Sequence, residues 1–146
     1  MKSCASISLL LGALIAGSIA NAKNQRIVCP AEIPASSIQL AGIPAPWKAH
    51  VAAPMLLSSA GATAGPPEQK AVLMGSSTWK KGATSWTTIY DLTGDGFPEG
   101  KWMECRYGEY DQISLSMKLA DKTTSCKVQA SEGGKAGQKT VRILCS

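Results

Sequence analysis

Between residues 101 and 145, apolar and polar side chains alternate one by one, and this period-two pattern restricts the fold more than anything else in the chain. It is clearest over 112–119, where Ile113, Leu115, Met117 and Leu119 interleave with Gln112, Ser114, Ser116 and Lys118. A pleated strand sends successive side chains to opposite faces, so one face of this segment is core and the other is wet. Its neighbours phase in the same way. Met103, Cys105 and Tyr107 oppose Glu104 and Arg106, Cys126 and Val128 oppose Lys127 and Gln129, and Val141, Ile143 and Cys145 oppose Arg142. The connections between these segments are too short for the crossovers of a parallel sheet. The expected fold is mainly β: a single antiparallel β-meander, closed up as a small sandwich or barrel-like domain with a loop-rich N-terminal half.

Proline shapes that N-terminal half. It stands at 30, 34, 44, 46, 54, 66 and 67, and proline fits neither helix interiors nor central strands. Short strands are expected at 27–29 and 55–58, with a turn region over 61–67. Further on, β-branched and aromatic residues bounded by Gly and Asp predict strands at 71–74, 86–92, 101–107, 112–119, 125–130 and 140–145.

The first 22 residues have the form of a cleavable secretory signal. Lys2 supplies a positive start, residues 7–20 form an apolar stretch, and Ala20-Asn21-Ala22 carries small residues where signal peptidase reads them. The apolar stretch is 14 residues long, and a bilayer span needs about 20. A stable membrane anchor is therefore not expected, and no cysteine is placed for lipid attachment. Cleavage before Lys23 leaves 23–146 as a single β-rich domain, periplasmic or extracellular. In that oxidising setting the four remaining cysteines read as two disulfides. If the last two strands pair with both apolar faces inward, Val128 falls opposite Ile143 and Cys126 opposite Cys145, within bridging reach. Cys29 then joins Cys105, although the sequence alone permits all three pairings.

Several function classes find no support. The formal charge of +5 is scattered, with no run longer than Lys80-Lys81, so no nucleic-acid stripe is present. Isolated cysteines and one histidine, His50, do not make a metal site. Asp91-Leu92-Thr93-Gly94-Asp95-Gly96 opens like a calcium loop, but Trp102 occupies the twelfth position, where a bidentate Glu should close the shell. A turn between strands accounts for it. His50 lies in a Pro-flanked segment with no partner to orient it, and no Gly-x-Ser-x-Gly elbow is present. Glu99, Glu104, Glu109 and Asp111 cluster in sequence as a glycosidase pair might, yet acids around a hairpin are ordinarily solvated. No catalytic residue, metal or cofactor is assigned.

The tryptophans carry more. Alternation puts Trp102 on one face with Glu104 and Arg106, opposite the cysteines, and Trp79 precedes Lys80 and Lys81. Exposed Trp beside Arg or Lys is the composition of interface hot spots. Trp102, Arg106, Trp79, Lys80 and Lys81 are the candidate binding residues. Against this, a second layer built from the N-terminal half would make Trp102 ordinary core.

Cys29-Pro30, Trp47, Gly65-Pro66-Pro67-Glu68, Trp86, Trp102-Met103-Glu104-Cys105-Arg106-Tyr107, Cys126 and Cys145 together resemble a family of small exported, disulfide-containing bacterial proteins of unknown function. The resemblance spans most of the mature chain and implies export and a disulfide framework, with no catalytic residues. Its motifs are short and structural, and the Ala/Ser-rich stretch over 52–64 departs from the pattern. The function expected is a non-enzymatic binding or protective module, of inhibitor or immunity type, engaging a protein partner in the cell envelope. The alternative is a small secreted hydrolase, which would require His50 beside a carboxylate in a concave pocket. By fold-level analogy with periplasmic lysozyme inhibitors, residues 58–62 resemble a loop inserted into an enzyme cleft.

Overall fold

Alternation becomes structure over nearly all of the C-terminal half. The computed structural model describes residues 24–146, and the leader expected over 1–22 lies outside the described residues. The strands are β1 (Gln25–Ile27), β2 (Glu32–Ile33), β3 (Met55–Ala64), β4 (Ser76–Thr78), β5 (Ser85–Asp91), β6 (Lys101–Tyr107), β7 (Ile113–Lys118), β8 (Ser125–Glu132) and β9 (Lys139–Cys145). Helix is confined, among the described residues, to single 3-10 turns at Ala35–Ser37 and Pro67–Gln69.

The strands make two antiparallel sheets, one ordered β1-β9-β8-β5-β4 and the other β2-β3-β6-β7. The fold is mainly β and antiparallel, and it is not a closed barrel. Nor does the chain run as one continuous meander. It leaves the first sheet after β5, forms β6 and β7 in the second, and returns as β8, because β5 pairs with β8 from Ser85↔Ser131 to Asp91↔Ser125. β6 finds its other partner upstream, with Ala62 opposite Met103 and Ala60 opposite Cys105.

β3 departs most from the sequence expectation. Residues 61–64 form no turn. They continue a ten-residue strand that is central in its sheet, flanked by β6 on one side and by β2 and a bridge from Thr63 to Val72 on the other. The small side chains of Ser-Ser-Ala-Gly-Ala suit a place where another layer comes close: Ala62 is fully buried, and a Cβ on Gly61 would lie 2.9 Å from the Tyr90 hydroxyl of the other sheet. The strand expected over 71–74 reduces to that single bridge, and Met74 stays exposed. A short polar strand, β4, forms just after it. Beyond the 3-10 turn at Ala35–Ser37, residues 38–54 form neither strand nor helix, in keeping with their prolines.

The core joins both sheets. Ile27, Val128 and Ile143 of the first meet Leu57, Ala62, Met103 and Tyr107 of the second, each large side chain contributing about 1.5–3 kcal/mol by leaving water. Cys126 lies opposite Cys145 in the β8–β9 register and is bonded to it. Cys29, just after β1, is bonded to Cys105 on β6 and so ties one sheet to the other, across 76 residues of chain.

Candidate functional site

The five binding candidates fall into two separate places. On β6, Trp102, Glu104 and Arg106 do share a face opposite Cys105, but that face is largely internal. Trp102 is half-buried, and its indole N–H donates to the Glu99 carbonyl at 3.2 Å. Arg106 Nε donates to Glu104 Oε2 at 2.8 Å, with the two side chains only 17% and 13% exposed. Tyr90 reaches across from β5 and sets its hydroxyl beside Arg106, over Gly61. Burial raises the Tyr90 phenol above its ordinary value, and the Arg106 charge partly offsets this. Arg106 Nη2 and Ser116 Oγ are buried in this polar seam without a protein hydrogen-bond partner. The cover over the β6 face includes the other sheet, where the sequence suggested only the N-terminal half.

Trp79, Lys80 and Lys81 occupy the loop of the β4–β5 hairpin, at the far edge of the first sheet. Thr78↔Thr87 is the last strand pair before the loop. The Ala83 N–H donates to the Lys80 carbonyl at 2.9 Å, and Gly82 takes φ +81°, a left-handed value that glycine adopts without strain. The loop is thereby held while its side chains project. Trp79 is 66% exposed, and both lysines are exposed. At the base of the hairpin Trp86 is half-buried, with the Lys139 ammonium 5.3 Å from its ring centroid. Between the two tryptophans lies a shallow depression of about 470 Å³, walled by Thr78, Lys80 and Thr87. Trp86 and Lys139 were not among the candidates, because only the fold brings residue 139 beside this hairpin. Trp47, 74% exposed on the irregular segment, is another exposed aromatic that its sequence context did not single out.

The catalytic candidates disperse. His50 lines a groove of about 560 Å³ with Ser36, Gln39 and Leu40, and no carboxylate lines that groove. Glu104 is held by Arg106. Asp111 accepts from Ser58 Oγ at 2.6 Å, which pins the β6–β7 turn to the irregularity in β3. Residues 58–62, compared above with an inserted loop, lie inside β3 and do not protrude. In the would-be calcium loop, Asp91 accepts from both the N–H and the hydroxyl of Thr93, which hold its carboxyl below the usual range. Close by, the carbonyls of Asp121 and Thr123 are taken by the Lys101 ammonium at 3.0 and 2.7 Å. Among the described residues no three His, Cys, Asp or Glu side chains are grouped to hold a metal ion.

The described residues thus form a disulfide-bridged β scaffold that displays aromatic and basic side chains on a rim, and what such a scaffold serves is given by its family. The chain belongs to the type VI secretion system Tli immunity protein family, whose model matches residues 52–146. That stretch contains β3 to β9 and three of the four disulfide cysteines, and leaves β1, β2 and Cys29 outside. The family thus carries a protective role where the sequence resemblance implied none. No curated protein and no solved structure matches the chain significantly.

Proposed function

We propose that the chain is a non-enzymatic immunity module that works in the periplasm and neutralises a protein toxin by binding it through the β4–β5 hairpin. Immunity proteins act by capturing a partner toxin, which is a surface task and requires no cofactor. The observation that carries the reading is Trp79, a large aromatic held two-thirds exposed beside two lysines that make no ion pair among the described residues. Trp supplies much contact area at low entropic cost, and flanking cations steer the encounter. Lys80 and Lys81 are the steering pair. Trp102 and Arg106, on the largely internal face of β6, lie outside this contact surface and have a structural part, Arg106 beside Tyr90. Two disulfides favour an oxidising compartment, which agrees with the leader over 1–22 and with cleavage before Lys23.

The test is protection. Susceptible cells producing the chain are challenged by a strain that delivers the matching toxin through its type VI apparatus, with intact mass of the periplasmic product recorded alongside. Wild type should protect and begin at Lys23. Trp79→Ala should keep its unfolding free energy within about 0.5 kcal/mol of wild type, as exposed substitutions do, and lose protection. Full protection by Trp79→Ala at ordinary expression would remove the hairpin from the binding surface. A cytoplasmic product that protects would overturn the location.

A further inference from the structure

Among the described residues, the outer face of the five-stranded sheet is exposed along β8 and β9. In β8 and β9 buried and exposed positions alternate, and Lys127, Gln129, Arg142 and Leu144 all point outward into solvent. Strand register assembles these into rows. Arg26 lies opposite Leu144, Leu144 opposite Lys127, and Lys127 opposite Ile89, so that one row crosses four strands as cation, aliphatic, cation, aliphatic. The next row runs Arg142, Gln129, Thr87, Thr78 and ends at the hairpin that carries Trp79.

Three features set this face apart from an ordinary solvated sheet surface. Leu144 and Ile89, the second and fourth members of that row, are 47% and 45% exposed. Arg26, Lys127 and Arg142 form no ion pair among the described residues. The acidic residue at its margin, Asp91, has its carboxylate turned to Thr93. With strands about 4.8 Å apart and alternate residues about 7 Å apart, the three cations sit within roughly 10 Å of one another. That is close to the physiological Debye length of about 8 Å, so their fields overlap into one positive patch around Leu144, with Ile89 at its edge.

We infer that this face is an electrostatic docking surface for the toxin, continuous with the Trp79 hairpin, and that the matching toxin surface is acidic with apolar residues at its centre. The inference rests on the immunity reading above and extends it from a hairpin tip to a sheet face. A protein surface fits better than an anionic bilayer, because the family is one of immunity proteins and because Leu144 and Ile89 are separated by Lys127 and make no continuous apolar wedge.

The experiment uses the same challenge by a type VI-armed strain, with recipients producing wild type, the reversal R26E/K127E/R142E, its neutral form R26Q/K127Q/R142Q, or the control K70E/K118E/K122E, which has the same net charge as the first reversal. Periplasmic level and melt midpoint are measured for each. Wild type and control should protect equally, the neutral form should lower recipient survival several-fold, and the reversal should lower it at least tenfold. Should the reversal fail to accumulate, the neutral form decides. Survival equal to wild type in the decisive variant overturns the docking face while leaving the immunity reading standing. Failure of wild type itself to protect overturns both. The lipid alternative is read separately with purified protein and vesicles of phosphatidylethanolamine and phosphatidylglycerol at 3:1 (about this ratio). Binding that requires phosphatidylglycerol and disappears in the reversal assigns the face to a membrane and overturns the protein assignment.

Discussion

Removing the Cys29–Cys105 bridge by Cys29→Ala with Cys105→Ala is the most demanding perturbation of this fold. The bridge closes 76 residues of chain, and the loop-entropy relation assigns such a closure about 4.5 kcal/mol. Cys126–Cys145 closes only 19 residues, for about 3 kcal/mol on the same relation. Domains of this size are stable by about 5–15 kcal/mol in all, so losing the long bridge consumes a large share of the total. For a chain between the small and mid-sized ranges, that is a fall of about 15 °C in Tm. Urea melts of the oxidised mature protein and of the double variant measure it, and the variant's m should rise, because its denatured chain is no longer held compact. Amide exchange should quicken first in β1, whose attachment to the second sheet depends on Cys29. A loss below about 1 kcal/mol with unchanged m would refute the reasoning, since it would mean that the denatured chain is already constrained without the bridge.

Trp102→Ala should cost about 2–3 kcal/mol in the same melt, less than emptying a fully buried Trp site, because the indole is half-buried; a cost below 0.5 kcal/mol (roughly the surface value) would put Trp102 back among exposed binding residues. Burial raises the phenols of Tyr90 and Tyr107 above the ordinary 10.0. Their folded state therefore holds its proton longer than the unfolded one, and the associated stability is full below that value and lost as pH rises through the raised folded values. Urea midpoints taken from pH 9 to about 11.5 should fall, and Tyr107→Phe should flatten the slope. An unchanged slope in Tyr107→Phe would show that its phenol does not contribute.

Local alternation made the C-terminal strands readable because each has one buried face, and phase together with the assumption that the last two strands pair put Cys126 opposite Cys145, as the register has it. The same logic failed at 61–64, where Gly and Ala resemble a turn. There small size answers to the approach of Tyr90, a contact from another sheet that no local window contains. β4 was invisible for a related reason: Ser76, Ser77 and Thr78 are all exposed and carry no pattern. Trp102 could be given a face but not a cover, because the pairing of β5 with β8 decides where Tyr90 lies. The outer face was half legible. Lys127 and Arg142 could be read as outward from the sequence, but their assembly with Arg26 into one patch exists only because β9 lies between β1 and β8.

That placement of β9 also governs when the protein can fold. The first described strand has no neighbour other than the last, with Gln25 opposite Cys145, and β8 has only β5 beside it until β9 arrives. The five-stranded sheet therefore cannot be completed until β9 is present, and its closing contacts join Gln25 to Cys145. Such non-local closure folds slowly, on the order of milliseconds to seconds. The same placement sets the order of oxidation: the Cys126–Cys145 bridge has its two sulfurs in register only once β9 lies beside β8, so this bridge marks completion of the sheet.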